Sequence, residues 1–136
     1  MMPHSAEDAR YVFVYGTLRR GGRNDIRRYL PMPRFIGDAT IPGLLFDLGG
    51  YPGVVLGGAG RVVGEVHAID PAVEAQLDLL EEVEPDDSGE YAKREVHVVV
   101  GTTALACLVY EIHPDRVRGK PIIPTGDWFD VCARIS

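Results

Sequence analysis

Cysteine, histidine and long apolar runs are scarce in this chain, and each scarcity closes off a class of function. The two cysteines, Cys107 and Cys132, form neither a Cys-x-x-Cys pair nor a zinc spacing, so a disulfide framework is not implied. Both are expected to be buried, reduced thiols. The four histidines, His4, His67, His97 and His113, fall in no metal-binding spacing, so metal catalysis lacks its ligands and no metal site is assigned. Ser5, Ser88 and Ser136 stand in terminal or loop sequence with no nucleophile-elbow pattern. No apolar run approaches the ~20 residues of a membrane span. Met1 to Asp8 lacks the basic and apolar regions of a secretory signal, so the cytoplasm is the expected location. Positive charge is also in deficit. Twenty acidic against 14 basic residues give a net charge of −6, which opposes binding to a phosphate backbone and argues against a nucleic-acid partner.

What is present suits a single soluble domain of 136 residues, long enough to bury a core unaided. Residues 1–10 are expected to be a disordered lead, and 11–136 one domain. Tyr11-Val12-Phe13-Val14-Tyr15 reads as a short strand buried on both faces, and Gly16 ends it. A glycine there permits unusual backbone angles and lets another group approach closely. The amides of Gly16, Thr17 and Leu18 would then be free donors, able to hold an anion such as a carboxylate. Arginines at 19, 20, 23, 27, 28 and 34 follow. They read either as a solvated surface or as an attraction for carboxylate-bearing substrates. Asn24 or Asp25 is placed to cap a short helix ending before Pro31 and Pro33.

Strands are expected over 35–41 and 44–48, joined through Pro42-Gly43. The glycines between 49 and 60 match no nucleotide-loop pattern and read as tight turns. Arg61 to Ile69 is a strand on which Glu65 and His67 share a face, as an acid and base in a cleft or as two polar groups on a wet surface. Asp70-Pro71 opens a helix running to about Glu82, with Asp70 as cap and Pro71 at the first helical position. Val73, Leu77 and Leu80 lie within about 60° of one another and face the core, with Glu81 about 40° from Leu77 at the edge of that face. Glu81 has two readings. It is a boundary glutamate reaching into solvent, or a carboxyl whose pKa is raised by burial, by the helix dipole and by Asp78, Glu82 and Glu84. In the second case it can take up and return a proton near neutrality. Tyr91 to Val100 and Thr102 to Tyr110 make a hairpin turning at Gly101, and Pro121 and Pro124 argue for an extended tail.

Several of these pieces, in this order, resemble the γ-glutamylcyclotransferase-like (AIG2-like) family. Tyr15-Gly16-Thr17-Leu18, with Arg-Gly-Gly-Arg-Asn close behind, resembles its Tyr-Gly-Ser/Thr-Leu signature, and Val63-Gly64-Glu65-Val66 its strand before the catalytic helix. Leu77-Asp78-Leu79-Leu80-Glu81 matches its Leu-Asp-x-x-Glu, although Glu82 stands where members often have glycine. Tyr91-Ala92-Lys93 resembles its Tyr-x-Arg, with lysine in the arginine place, and Gly126-Asp127-Trp128-Phe129 a closing segment of bacterial members. The likeness runs from Val12 to Trp128. It implies an α+β fold, a small mixed β-barrel with a helix packed across one mouth. It also implies conversion of a γ-glutamyl amide to 5-oxoproline with release of an amine, without cofactor or metal. Glu81 would be the acid/base, Glu82 the fallback if the register slips by one, and Tyr15, Gly16, Thr17, Leu18 and Tyr91 the substrate-binding residues. The other expectation is a binding module for γ-glutamyl compounds that has lost turnover.

Overall fold

The computed structural model describes residues 10–81 and 89–135. The expected disordered lead therefore lies outside the described residues, except for Arg10, which is the first residue of β1. Two elements follow the sequence closely. The strand before Gly16 is β1, Arg10–Val14. The helix is α1, Pro71–Leu80, with the Asp70 carboxylate accepting from the Ala72 amide at 2.8 Å and Glu81 as its C-cap. Asp25 likewise caps a short 3-10 turn, Ile26–Arg28, by accepting from the Arg27 amide.

The strands 35–41 and 44–48 are one strand, β2, Arg34–Asp47, because Pro42-Gly43 makes a register shift rather than a turn. Its partner β3, Pro52–Ile69, is longer than the stretch from Arg61 that patterning suggests. The hairpin β4, Tyr91–Val100, and β5, Thr103–Ile112, pairs in register from Tyr91 opposite Ile112 to Val100 opposite Thr103. The result is a mixed five-stranded sheet in the order β2-β3-β1-β5-β4.

The path of β3 shapes the molecule. Over Glu65 to Ile69 it is antiparallel to β1, yet at Val54 it pairs parallel with Glu111 of β5. Because β1 and β5 are themselves parallel, β3 must reverse its direction between those points. It does so where Gly43 pairs with Leu56 and Pro42 with Arg61, leaving 57–60 as an excursion that begins with positive φ at Gly57 and Gly58. The β2–β3 hairpin thus folds back over the sheet and curls it. Val100 of β4 meets the bare Cα of Gly37 on β2, so the sheet's two ends approach, although among the described residues the strand ladders do not join them.

Alternation along the strands divides the core. Phe13, Val66, Cys107, Val109 and Val98 face the inside of the curl with Ile41, Leu45 and Val62. Val12, Val14, Leu108 and Ile112 face the other way and are covered by Val73 and Leu77 of α1. Leu80, expected in that core, is instead 42% exposed, because the helix ends there and Glu81 leaves helical geometry. The tail is extended, as its prolines imply. The Asp47 amide donates to the Pro121 carbonyl and the Ile123 amide to that of Leu45, and Trp128 is buried at the start of a second helix, α2, Trp128–Ile135, which the sequence reading did not identify. None of the described helices is long and apolar enough to cross a membrane.

The helix register gives a direct test. Leu77 is fully buried whereas Leu79 is 81% exposed. Leu77→Ala should cost about 2–5 kcal/mol of unfolding free energy and Leu79→Ala less than about 0.5, measured by urea denaturation.

Candidate active site

A cavity of ≈ 210 Å³ lies where β1 ends, and five parts of the chain wall it. The loop after β1 supplies Tyr15 to Leu18 and, farther on, Arg23 and Asn24. The end of α1 supplies Leu80 and Glu81. The folded-back hairpin supplies Tyr51 and Pro52, the start of β4 supplies Glu90 and Tyr91, and β5 supplies Tyr110. All six residues expected to form a site, namely Glu81, Tyr15, Gly16, Thr17, Leu18 and Tyr91, line this one cavity.

Gly16 is required by contact rather than by an unusual dihedral. Its φ is not positive, and a Cβ on it would collide with the ring of Pro52. Past it the chain doubles back on itself. The Arg19 amide donates to the Gly16 carbonyl at 3.1 Å, the Asn24 amide to the Thr17 carbonyl at 2.9 Å and the Ile26 amide to the Leu18 carbonyl at 2.9 Å. The Asn24 side-chain amide also donates to the Thr17 hydroxyl at 3.1 Å. Among the described residues none accepts a hydrogen bond from the amides of Gly16, Thr17 or Leu18.

Glu81 has its pKa raised from 4.5 to about 7, first by burial and second by the negative charge of Glu90. The burial agrees with the sequence reading, and among the described residues the neighbouring charge is that of Glu90. Glu82 and Glu84 lie outside the described residues, and Asp78 is already engaged, accepting from Tyr110 Oη at 2.7 Å and from Lys93 Nζ at 2.9 Å. Among the described residues, the charge that acts on Glu81 comes from Glu90, just before β4.

Tyrosine hydroxyls brace the walls. Tyr15 donates to the Tyr110 carbonyl at 2.6 Å and accepts from the Val54 amide at 3.3 Å. Tyr91 donates to the Pro52 carbonyl at 2.8 Å, and Tyr51 to the Glu90 carboxylate at 2.7 Å. Burial, reinforced by acidic neighbours, pushes the hydroxyls of Tyr15, Tyr91 and Tyr110 well up, so they remain donors at any ordinary pH. Tyr91 is therefore both a cavity wall and a structural strut.

Glu65 and His67 do not share this cavity, nor do they form a wet strand face. Both are buried behind the loop. Glu65 accepts from the backbone amide of Arg20 at 3.0 Å, lies 3.1 Å from His67 Nε2 and pairs with Arg19 at 3.5 Å. Burial pushes its carboxyl up, but hydrogen bonds from His67 and the Arg20 amide, with the charges of Arg20 and Arg19, hold it below the usual value. Arg19 also reaches Asp127 at 2.7 Å and lies over the ring of Phe129, which ties the tail to the loop. Of the arginine cluster only Arg23 lines the cavity.

Among the wall residues that sequence reasoning did not single out are Arg23, Asn24, Tyr51, Leu80, Glu90 and Tyr110. Glu90 is the immediate neighbour of Tyr91, and Arg23-Asn24 falls inside the quoted signature, so both had a local signal. Tyr51 and Tyr110 reach the cavity only through the fold-back of β3 and the β1–β5 pairing, and carried none. Among the described residues no group of three or more His, Cys, Asp or Glu is placed to hold a metal ion.

Residues 12–130 match the family described as gamma-glutamyl cyclotransferase, AIG2-like. A Vibrio cholerae protein provisionally named a gamma-glutamylcyclotransferase is 40% identical over 126 residues, 91% of this chain and 96% of its own. The Escherichia coli gamma-glutamylcyclotransferase family protein YtfP is 37% identical over 120 residues, 88% of this chain and 96% of its own. The solution structure of E. coli YtfP superposes with a TM-score of 0.59 at 35% identity, covering 90% of this chain and 98% of that one.

The raised pKa of Glu81 is also a statement about stability. Between pH 4.5 and about 7 the folded protein holds a proton that the unfolded chain has released, so stability falls as pH rises through that window and the full penalty persists above it. Glu81→Gln should therefore stabilise the fold at pH 8, by up to about 3 kcal/mol, and by much less at pH 4.5. Urea denaturation at both pH values checks this. Equal stability of variant and wild type at pH 8 would contradict a desolvated, ionising Glu81.

Proposed function

The chain belongs to the gamma-glutamyl cyclotransferase, AIG2-like family, and on that premise we propose that it converts a γ-glutamyl amide into 5-oxoproline and a free amine, with Glu81 as general acid and base. The observation that carries this reading is a carboxyl poised near pH 7 in the same small cavity as a loop with unused backbone amides.

In this reading the amides of Tyr15 to Leu18 hold the α-carboxylate of the γ-glutamyl group, as a turn rich in free donors holds an anion. With that end fixed and Tyr91 and the other tyrosines closing the sides, the substrate folds so that its α-nitrogen approaches its own γ-carbonyl carbon. Confinement of this kind turns a floppy encounter into a near-attack geometry.

Ionised Glu81 takes one proton from the α-ammonium, and the freed amine attacks the γ-carbon to form the ring C–N bond. The protonated Glu81 passes that proton to the departing nitrogen. It then removes a second from the ring nitrogen as the bond to the leaving group breaks, and delivers it to the released amine. Two protons cross from one nitrogen to the other, and Glu81 ends as it began. The base must be ionised to start, so the pKa near 7 places the acid limb of the rate there.

A panel of γ-glutamyl amides, including glutathione and γ-glutamyl-lysine, assayed for 5-oxoproline tests the reading. At least one should be turned over, with kcat/KM rising through about pH 7, and Glu81→Gln should lower the rate by about 10²–10⁴-fold while the protein stays folded. Binding of γ-glutamyl compounds with no 5-oxoproline from any of them would leave a binding module instead. A fully active Glu81→Gln would remove Glu81 from its role.

A further inference from the structure

The cavity wall carries two carboxylates, Glu81 and Glu90, and one guanidinium, Arg23. A ligand bearing a carboxylate enters against two negative charges, and unused backbone amides alone offer it no full positive charge. The loop fold supplies that charge. Asn24 is fastened to Thr17 twice, through its amide to the carbonyl and through its side chain to the hydroxyl, and a Cβ on Gly22 would collide with the Thr17 carbonyl. The chain flanking Arg23 is thereby pressed onto Thr17, although the two are six positions apart in sequence. The guanidinium is steadied by a single contact among the described residues, NH2 to the Gly50 carbonyl at 3.0 Å, while Arg19, Arg20 and Arg27 are consumed by Glu65, Asp127, Asp38 and Asp25. Arg23 keeps donors to give.

We propose that Arg23 is the specificity-determining residue for the α-carboxylate, forming with the amides of Gly16, Thr17 and Leu18 one anion subsite, and that it does not read the leaving amine. The claim rests on the function proposed above and deepens it. Two features favour the α-carboxylate over a carboxylate on the leaving group. Arg23 rises from the same doubled loop as the free amides, and a planar guanidinium beside a row of backbone N–H groups offers a carboxylate donors for both oxygens. The contact to Gly50 also ties the tip of the β2–β3 hairpin to the loop, beside Tyr51 in the same cavity wall.

Two substrate pairs separate the possibilities. The first is γ-glutamyl ethylamide against 4-aminobutyryl ethylamide, which lacks only the α-carboxylate and would cyclise to 2-pyrrolidinone. The second is γ-glutamyl-alanine against γ-glutamyl-alaninamide, which differ only in the charge of the leaving group. Arg23→Met should erase at least tenfold of the wild-type preference, in kcat/KM, for the glutamyl over the aminobutyryl substrate, chiefly through KM. Arg23→Lys should restore part of it, as a point charge without the fork. The preference within the second pair should not change. Loss of discrimination in the second pair instead, or equal loss for all four substrates, overturns the assignment. If wild type turns over none of them, the enzymatic reading fails separately. Arg23 is then judged by calorimetric binding of 5-oxoproline against 2-pyrrolidinone. An Arg23-dependent preference for the carboxylate upholds the subsite, and its absence rejects it.

Discussion

A half-buried carboxyl group that has no ion pair among the described residues is the constraint around which this molecule is arranged. Helix α1 carries Glu74, Asp78 and Glu81. The first two are neutralised, Glu74 by Arg10 and Lys93 and Asp78 by Lys93 with a hydrogen bond from Tyr110. Glu81, one turn after Asp78, has no ion pair among the described residues and faces a second acid, Glu90, in the cavity. Leaving a group in that condition is costly. The surrounding fold sustains it through the burial of Val73 and Leu77 and the tyrosine struts that keep the walls in place.

Behind the opposite wall the contrary principle holds, and the buried carboxylate there is compensated. Glu65 gathers Arg20, Arg19 and His67 behind the doubled loop, and Arg19 passes the connection on to Asp127 at the head of the tail. Buried ion clusters contribute little net stability, but removing one member leaves the others stranded, so such a cluster fixes one arrangement strongly. Here it holds the backbone on which the unused amides and Arg23 are mounted. One side of the cavity is thus set by satisfied charge, and the other by a charge left unsatisfied.

How much of this could be read from the sequence depends on the range of the interaction involved. Elements set by neighbouring residues were legible: β1 from its apolar run, α1 from Asp70-Pro71, and the β4–β5 hairpin from Gly101, while the short helix expected after Asn24 or Asp25 is a single 3-10 turn capped by Asp25. The α+β class followed, and so did six of the residues that line the cavity, because the family signature places each of them in a short stretch. What was not legible depends on distant partners. Pro42-Gly43 looks like a break, yet it lies within one strand because β3 continues on the other side. Glu65 and His67 look half wet because the arginines that cover them lie more than 40 residues earlier. Leu80 has the helical phase of a core residue and escapes it only because the helix ends. Glu90 stands next to Tyr91, but its influence on Glu81 exists only across the cavity.

The reversal of β3 at Gly57–Gly60 has a further bearing. The hairpin tip that carries Tyr51 and Pro52 is one wall of the cavity, and the strand returns from it to the sheet through that bend, whose residues do not line the cavity. A change in the length of the excursion would act on the hairpin wall and leave the sequence of α1 and of the doubled loop untouched. In this fold the course of the hairpin wall and the groups mounted on the other walls belong to different stretches of the chain, and Gly57, Gly58 and Gly60 at the bend are not among the residues that line the cavity.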